Sequence, residues 1–415
     1  MTQQTSLPVT IDDIRQAEES IRGAVLKTPC LPAPRISKLT GADVFVKYEN
    51  MQVTGSFKER GALVKLLSLS EEDRKRGVIA MSAGNHAQGV AFHSSRLGIP
   101  ATIVMPETTP FVKVAATREF GANVILAGEN VDEAREEARR IATEQGLVWV
   151  HPFDDPHVIS GQGTIALEML QDVPDLDVLI APIGGGGLVS GMAVAAKAIK
   201  PSIEVIGVET ELYPAMWGAV HGKDVTCGGP TIAEGIAVRN VGELTRQIVK
   251  SIVDRVVLAK ESVIEEAINA YLIYQHTIAE GAGAAALAGL LTEKESLKGK
   301  KVGLVLCGGN IDPRLISSIV VRELARGGRM VSIRIDTPDR PGVLGDITTI
   351  IGAAKGNVVE VAHNRLFLNV PAKGATLDVT FEAFDRAHGQ EIVDRLRAGG
   401  YTVKRLDLGQ AITEP

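Results

Sequence analysis

The sequence is poor in cysteine, which narrows both its chemistry and its compartment. It has three cysteines, Cys30, Cys227 and Cys307, which are odd in number and far apart along the chain. A disulfide framework needs an even set, and a zinc site needs closely spaced pairs of cysteine or histidine. We therefore expect neither a disulfide nor a zinc site, and we expect a reducing, cytoplasmic location.

Long apolar runs and blocks of positive charge are also absent. No apolar stretch approaches the roughly 18 residues of a membrane span, and the polar segment before Thr10 lacks the features of a signal peptide. The net charge is −6, and the basic residues form no continuous stripe. The sequence therefore predicts no membrane association and no nucleic-acid partner.

What is present is a pattern typical of a large α/β protein. At 415 residues the chain exceeds what one hydrophobic core usually serves, so more than one domain is expected. Short β-branched runs such as Val44–Tyr48, Val78–Met81 and Val178–Ile183 alternate with amphipathic segments. This alternation predicts a largely parallel sheet, whose ligands lie beyond the carboxyl ends of its strands.

The pattern changes at residues 326–329, which we interpret as a linker between a domain at 1–325 and a smaller one at 330–415. Beyond it the sequence predicts the order strand, helix, strand, strand, helix, strand, with the second strand at Asn357–Arg365. Period-two alternation in the first strand supports this βαββαβ order, which is typical of an α+β ferredoxin-like domain.

Lys58 is the first candidate for catalysis, because it lies between a Gly-Ser turn and the start of a predicted helix. A lysine amine can form an imine with an aldehyde cofactor, which begins much of the chemistry at the α-carbon of amino acids. A helix start disfavours added positive charge and so favours the neutral amine. Taken alone, Lys58 would more often be an ordinary surface lysine.

The segment Ser82–Gly89 follows a predicted strand, and its small residues would leave backbone N–H groups free at a helix start. Such groups bind anions, for example a substrate carboxylate. Asn85 would also hydrogen-bond a ring oxygen of the cofactor, whereas an ordinary capped turn is the alternative. The candidate substrate-binding residues are Ser82, Ala83, Gly84, Asn85 and His86.

Four consecutive glycines follow another predicted strand and precede a helix. Glycine is costly to order, so this run indicates backbone that closely approaches a ligand, and a phosphate is the natural one. The spacing matches neither the dinucleotide fingerprint nor the P-loop. The candidate phosphate-binding residues are Gly184, Gly185, Gly186, Gly187 and Leu188.

Cys307 ends the last strand predicted before residue 326 and precedes Gly308-Gly309-Asn310. A thiol there could meet the pyridine nitrogen of a bound ring, and a neutral partner would leave that nitrogen largely unprotonated. Prompt β-elimination would then be favoured over side reactions. The alternative is a buried cysteine that serves only as a small hydrophobic residue.

In this order the four segments resemble the threonine dehydratase (threonine ammonia-lyase) family of fold type II pyridoxal-phosphate enzymes, which includes serine dehydratases and serine racemases. The resemblance spans residues 11–325. It implies two α/β subdomains and pyridoxal 5'-phosphate as the cofactor. It also implies that Lys58 binds the cofactor, Asn85 contacts the ring hydroxyl, Gly184–Leu188 hold the phosphate, and Cys307 faces the ring nitrogen, where relatives commonly have Ser.

One departure from the family pattern bears on the reaction. Similar serine racemases carry a second serine where Ala83 stands, and alanine transfers no proton, so the resemblance implies elimination rather than racemisation. Glu209 matches a divalent-metal ligand of some racemases, but Pro214-Ala215 supplies no second carboxylate. We therefore predict no metal site. Glu280 lies in a family-like segment to which we assign no role.

The C-terminal part resembles an ACT domain, the amino-acid-sensing fold, through Asp339–Leu344 and Lys355–Val358. A Pro-Gly turn that opens a helix frees N–H groups for an amino-acid carboxylate. The resemblance implies an effector, isoleucine or valine. A turn used only for dimerisation is the alternative. The candidate effector-binding residues are Gly342, Val343, Leu344 and Asn357.

These resemblances imply an allosteric enzyme, of the kind used in isoleucine biosynthesis, that converts L-threonine to 2-oxobutanoate and ammonia and also acts on L-serine. They also imply a homo-oligomer, either a dimer or a tetramer. A serine or threo-3-hydroxyaspartate dehydratase is the nearest alternative, and a serine racemase is disfavoured by Ala83. From another class, a catalytically inactive amino-acid-sensing protein stays open.

Overall fold

The computed structural model describes residues 7–364 and 374–406. It divides into two compact units, Met1–Ile311 and Asp312–Pro415. The expected linker at 326–329 lies inside the second unit, because the preceding helix, Pro313–Arg326, groups with that unit. Among the described residues, none of the helices has the length and apolar character needed to cross a membrane.

The first unit contains strands and helices in alternation. Its strands are β1 (Cys30–Pro32), β2 (Asp43–Tyr48), β3 (Val78–Met81), β4 (Ala101–Met105), β5 (Asn123–Leu126), β6 (Val148–Trp149), β7 (Val178–Pro182), β8 (Glu204–Thr210), β9 (Arg255–Ala259) and β10 (Lys301–Leu306). Its helices are α1 (Ile11–Ile21), α2 (Pro34–Thr40), α3 (Lys58–Leu67), α4 (Glu71–Arg76), α5 (Asn85–Leu97), α6 (Phe111–Glu119), α7 (Val131–Gln145), α8 (Pro156–Asp172), α9 (Gly187–Ile199), α10 (Ala215–His221), α11 (Glu243–Ile252), α12 (Glu261–Gln275), α13 (Gly281–Thr292) and α14 (Lys294–Leu297). Glu49–Met51 and Glu234–Ile236 form short 3₁₀ turns.

The larger sheet of this unit has six strands in the order β1-β2-β10-β7-β8-β9. Strands β1 and β2 pair antiparallel, and the other neighbours pair parallel. Every residue of β7 is buried, as expected of a central strand covered on both faces. The predicted parallel sheet is confirmed, whereas the short strands β1 and β9 were not predicted.

The smaller sheet has four parallel strands in the order β5-β4-β3-β6. Its two faces have separate hydrophobic clusters, one around Ile103 and Met105 and the other around Ile79 and Ala138. A third cluster, which includes Leu179 and Ala181 of β7, lies beside the larger sheet. The unit is therefore built of two α/β subdomains, as the family resemblance implied.

Local sequence accounts for individual helices. Helix α1 begins with a capping box, in which the Thr10 side chain accepts from the backbone of Asp13 and the Asp13 carboxylate accepts from the backbone of Thr10. Helix α7 is capped by Asn130 and buries Ala134, Ala138 and Ile141 along one face. The spacing of three and four residues is the one that places side chains on a single helical stripe.

The second unit has the predicted βαββαβ order after its first helix. Its elements are α15 (Pro313–Arg326), β11 (Met330–Pro338), α16 (Val343–Ala353), β12 (Asn357–Asn364), β13 (Gly374–Glu382), α17 (Arg386–Ala398) and β14 (Thr402–Arg405). The strands form one antiparallel sheet in the order β12-β13-β11-β14. Alternate residues of β11 are buried, with Ile333 and Ile335 in the core. The ferredoxin-like fold is confirmed; Arg365, the expected end of its second strand, lies outside the described residues.

Candidate active site

Lys58 is the first residue of α3, and the loop before it is fixed to the end of β10. Ser56 forms an isolated antiparallel bridge with Gly308, and the Phe57 N–H donates to the Cys307 carbonyl at 3.0 Å. Gly55 has φ +71°, a conformation that favours glycine. The Lys58 amine donates to the Pro152 carbonyl at 2.8 Å. The sharp turn predicted before Lys58 is therefore present, and it directs the amine toward the segment that follows β6.

The environment of Lys58 favours a neutral amine. Burial lowers the pKa of Lys58 to about 8, although attraction to the Glu280 carboxylate opposes this effect. A desolvated ammonium lacks the hydration that stabilises its charge, so the proton is released more readily. At pH 7 roughly a tenth of the amine is then unprotonated, and both imine formation and proton abstraction use that neutral form.

A buried ion network, named here the Arg60 network, anchors the helix that carries Lys58. The Arg60 guanidinium bonds Glu49 through Nε and Nη2, both at 2.8 Å, and Glu168 through Nη1 at 2.7 Å and Nη2 at 2.9 Å. The Lys47 amine also bonds Glu168 and the Thr28 carbonyl. Arg60 and Lys47 are fully buried, so two positive and two negative charges balance one another away from water.

The four glycines Gly184–Gly187 are packed against protein atoms on one side. A Cβ on Gly185 would overlap the Phe153 ring, and one on Gly184 would lie 3.1 Å from the Ile236 Cα. Gly186 has φ +95° and a Cβ there would lie 2.9 Å from Thr245 Cβ. The sequence explained these glycines only by the close approach of a ligand. Their contacts with Ile236, Phe153 and Thr245 are a second reason why side chains are excluded at these positions.

The same segment forms the start of a helix, where the first backbone N–H groups have no partner within the helix. Helix α9 begins at Gly187 and its N-cap is Gly186, which has no side chain with which to cap the helix. The Thr245 hydroxyl donates to the Gly185 carbonyl at 2.7 Å and so orients the loop. Leu188 is buried, so it contributes only its backbone to this surface. N–H groups at a helix start that no side chain caps fit a phosphate group.

The expected substrate-binding segment lies at the start of α5. Its N-cap is Gly84, and the Gly84 N–H donates to the Ser82 hydroxyl at 3.2 Å. Ala83 packs against the hydrophobic cluster of the smaller sheet. The His86 ring lies 3.0 Å from the Val150 carbonyl, and burial, with a further contribution from Lys58, lowers the pKa of His86 to about 3. The His86 ring is therefore neutral and held in the structure, which leaves its backbone N–H as its contribution to the segment.

Asn85 is the first residue of α5, and Cys307 directly follows β10. The Asn85 amide donates to Glu280 Oε1 at 2.6 Å and accepts from the Asn310 amide at 2.8 Å. The buried Cys307 thiol donates to the Ala282 carbonyl at 3.4 Å, and burial raises the pKa of Cys307 well above its usual value. The thiol therefore stays neutral, and its single S–H would have to turn from Ala282 to make the predicted contact with an unprotonated ring nitrogen.

Two glutamates that received no role from the sequence have defined positions. Glu280 is the N-cap of α13, its N–H donates to the Gly308 carbonyl at 3.1 Å, and burial raises its pKa to about 7. Glu209 accepts from the N–H groups of Met216 and Trp217 at 2.7 and 2.8 Å and so caps α10. Burial raises the pKa of Glu209 to about 7 as well. A glutamate directly before a glycine-rich helix start was the only sequence signal for Glu280.

In the second unit, the expected effector residues lie apart. Gly342, with φ +91°, is the N-cap of α16, Val343 is buried and Leu344 is exposed. Asn357 follows the far end of that 11-residue helix, which rises about 16 Å, and its amide donates to Glu382 at 2.9 Å. Within one chain the structure does not bring Asn357 to the start of α16.

Two protein families match the chain. The pyridoxal-phosphate dependent enzyme family matches residues 21–308, and the ACT domain family matches residues 331–398. The L-threonine ammonia-lyase of Thermotoga maritima is 46% identical over 95% of this chain and 99% of its own length. That of Geobacter sulfurreducens is 43% identical over 96% of this chain and 99% of its own length.

Solved structures agree with these matches. The processed form of threonine deaminase isoform 2 from Solanum lycopersicum is 36% identical with a TM-score of 0.70, and the match covers 74% of this chain and 92% of its own. A serine racemase from Dictyostelium discoideum is 36% identical with a TM-score of 0.69, over 73% of this chain and 99% of its own. The predicted resemblance, fold and cofactor are confirmed. The chain belongs to the pyridoxal-phosphate dependent enzymes and carries an ACT domain after its catalytic part.

Proposed function

We propose that the chain is a threonine ammonia-lyase, which converts L-threonine to 2-oxobutanoate and ammonia. One observation carries the proposal: the Thermotoga maritima L-threonine ammonia-lyase is 46% identical over 95% of the chain, so both the catalytic part and the ACT domain are shared. The residues at the site fit the cofactor. Lys58 offers a partly neutral amine and the N–H groups at Gly184–Gly187 fit its phosphate, while Asn85 and Cys307 are neutral partners for its ring.

Lys58 and the start of α5 each have a defined role in the proposed elimination. Bound pyridoxal phosphate supplies the electron sink that makes the Cα proton of an attached amino acid acidic. The Lys58 amine accepts that proton, since its lowered pKa of about 8 leaves it partly unprotonated. The N–H groups at the start of α5 bind the substrate carboxylate and orient the Cα–H bond. Threonine loses one water when the β-hydroxyl leaves, and hydrolysis restores one water, which yields the keto acid and ammonia.

Ala83 favours elimination over racemisation. A racemase must return a proton to the face opposite the one from which it was taken, and Ala83 stands where similar racemases carry a serine. A methyl group can neither donate nor accept that proton. We therefore propose that Lys58 is the proton carrier of the reaction. Formation of D-serine from L-serine by the wild-type protein would contradict this assignment.

The test compares three substrates and two lysine variants. Keto-acid release is measured from L-threonine, L-serine and threo-3-hydroxyaspartate, and we expect threonine to have the highest kcat/KM with serine second. Lys58→Ala is expected to abolish both turnover and the imine absorbance, whereas Lys75→Ala, an exposed lysine on α4, leaves both unchanged. Equal absorbance in Lys58→Ala, or a higher kcat/KM with either competing substrate, would refute the proposal.

We further propose that the ACT domain binds an amino-acid effector, isoleucine or valine, at the start of α16. Support comes from the N-cap Gly342, which leaves the N–H groups of Val343 and Leu344 uncapped by a side chain. Gly342→Val, which strains a backbone with φ +91°, is expected to weaken the effector response. Gly345→Ala meets open space and is the control. Unchanged activity across all branched-chain amino acids would exclude this regulation.

The assembly and compartment are proposals of the same kind. We propose a homo-oligomer, a dimer or a tetramer, and light scattering of the purified protein measures its mass directly. A monomer at working concentration would contradict this. We also propose a cytoplasmic location, which fits Cys30, Cys227 and Cys307 as free thiols. Fractionation of cells that express the full chain tests that location.

A further inference from the structure

Four segments that are distant in sequence meet beside the Lys58 loop through a chain of hydrogen bonds. The Asn310 amide donates to the Thr54 carbonyl at 2.7 Å and to Asn85 Oδ1 at 2.8 Å. The Asn85 amide in turn donates to Glu280 Oε1 at 2.6 Å. The Asn85 chain, as we name these contacts, therefore joins the loop before Lys58, the end of β10 and the starts of α5 and α13.

The Asn85 chain fixes which way each amide faces. A backbone carbonyl only accepts hydrogen bonds, so the Thr54 carbonyl requires the NH₂ group of Asn310 on its side. The NH₂ group of Asn310 then requires the oxygen of Asn85, and Glu280 accepts from the Asn85 NH₂ group. A flipped Asn85 would set oxygen against oxygen at Glu280 and NH₂ against NH₂ at Asn310.

Asn85 is left with one uncommitted donor after these contacts. An asparagine amide has one oxygen and two N–H donors. The oxygen accepts from Asn310 and one N–H donates to Glu280, so one N–H remains for a ligand. The direction of that N–H depends on Glu280 as much as on Asn85 itself.

Two glycines provide the space that the Asn85 chain occupies. A Cβ on Gly308 would overlap Glu280 Oε1 and lie 3.2 Å from the Asn85 amide nitrogen. A Cβ on Gly55 would lie 2.5 Å from the Asn310 oxygen. A larger residue at either position would displace these hydrogen-bonded side chains, and at Gly55 it would also strain a backbone with φ +71°.

We propose that Glu280 is a positioning residue: with Asn310 it holds the Asn85 amide so that its remaining N–H donates to the ring oxygen of the cofactor. This inference rests on the Asn85–cofactor contact of the proposed site and is independent of which substrate the enzyme uses. The charged and titratable groups that act on Glu280 are Lys58, Lys113, Glu234 and Cys307. Its effect through Asn85 must therefore be separated from its effect through charge.

The loss of the hydrogen bond and the loss of the charge shift the pH midpoint of the absorbance of the Lys58-bound cofactor in opposite directions. An N–H donated to the ring oxygen stabilises that oxygen as an anion, so losing the bond raises the pH at which the chromophore loses its proton. Losing the Glu280 carboxylate removes a negative charge near the protonated chromophore, which lowers that pH. A hydrogen bond to a charged group is strong enough to move the midpoint by about one to two pH units.

The experiment is a spectrophotometric pH titration of the cofactor-loaded full chain without substrate. We expect Glu280→Ala and Asn310→Ala to raise the midpoint toward that of Asn85→Ala, by about one pH unit. Glu280→Gln keeps an acceptor for Asn85 and loses the charge, so its midpoint stays at or slightly below the wild-type value. The exposed Glu295→Ala is the control and leaves the midpoint unchanged.

A double variant completes the test. Asn85→Ala combined with Glu280→Ala is expected to lie at the midpoint of Asn85→Ala or below it by no more than Glu280→Gln lies below wild type, because only the charge effect of Glu280 remains once Asn85 is gone. Additive shifts, or a lowered midpoint in both Glu280 variants, would overturn the proposal. If Glu280→Ala fails to fold or to retain cofactor, Asn310→Ala and Glu280→Gln decide by the same criteria. Since no substrate is added, failure of the threonine assay and failure of this inference are distinguishable.

Discussion

Replacement of Arg60 by methionine tests how the helix that carries Lys58 is held. The guanidinium has charged contacts with Glu49 and Glu168 at 2.7–2.9 Å, and Lys47 supplies the second positive charge. Methionine is apolar and of similar length, so the variant leaves two buried carboxylates with one ammonium. Breaking a buried pair in this way costs about 3–5 kcal/mol. We therefore expect a loss of that size in the free energy of unfolding of the first unit.

The pH dependence of this loss has a definite sign. In the wild type, burial raises the pKa of Glu49 but attraction to Arg60 and Lys47 outweighs it, so the pKa is lowered. A carboxylate whose pKa is lower in the folded than in the unfolded state stabilises the fold at a pH above its unfolded-state pKa. That stabilisation is lost as the pH falls through the folded-state pKa. Without Arg60, burial dominates and a carboxylate must take up a proton. The difference in the free energy of unfolding between variant and wild type therefore becomes smaller as the pH falls, by up to about 1.4 kcal/mol per pH unit.

Urea unfolding followed by tryptophan fluorescence measures the free energy of unfolding of the first structural unit, which contains Arg60. The two tryptophans, Trp149 and Trp217, both lie in the first unit, so the signal is not mixed with that of the second. The matched control is Arg60→Met with Glu49→Gln, which removes one charge of each sign and should recover part of the stability. A loss below about 1 kcal/mol for Arg60→Met, or a double variant less stable than the single one, would refute the reasoning.

Three further predictions concern packing, protonation and surface charge. Gly185→Ala places a Cβ against the Phe153 ring. The overpacking cost of about 1–3 kcal/mol should lower cofactor affinity by roughly 5- to 150-fold in an absorbance titration, whereas Gly345→Ala leaves the affinity unchanged. Glu209 has a pKa of about 7 in the folded protein, which is higher than in the unfolded chain. The protonated side chain therefore stabilises the fold at low pH, and this stabilisation is lost as the pH rises through 7. Glu209→Gln should therefore gain stability relative to wild type between pH 5 and pH 8 in urea unfolding, and an unchanged difference would contradict this. Lys113→Gln breaks an exposed ion pair with Glu234 and should change the free energy of unfolding, measured by urea titration, by less than about 1 kcal/mol.

The fold was largely predictable because its central strands are short, apolar and bounded by turns. Strand β7 is buried at every residue, so its apolar run is visible in the sequence. Strand β1 has three residues and contains Pro32, so no periodicity distinguishes it from a loop. Its assignment depends on antiparallel pairing with β2 at the sheet edge, which is where proline is tolerated. Such pairing is a tertiary property.

The candidate residues of the site could be named from the sequence, but the contacts that hold them could not. The run Gly184–Gly187 indicated a close approach, but its neighbour Phe153 and the Thr245 hydroxyl lie at positions that no local pattern connects to it. Glu280 received no role because its partner, Asn85, is 195 residues away in sequence. His86 looked like a substrate contact, whereas its ring is held by a carbonyl at the end of β6.

The strand order of the larger sheet has a consequence for how the chain matures during synthesis. Strand β2 ends at Tyr48, whereas its parallel neighbour β10 begins at Lys301, 253 residues later (301 − 48). At about 5–20 residues per second, the ribosome delivers that neighbour roughly 10–50 seconds after β2. The smaller sheet, from Val78 to Trp149, is complete well before then. A nascent chain therefore holds a finished smaller sheet while β2 still has an unpaired edge, and an unpaired strand edge is open to wrong pairing and aggregation.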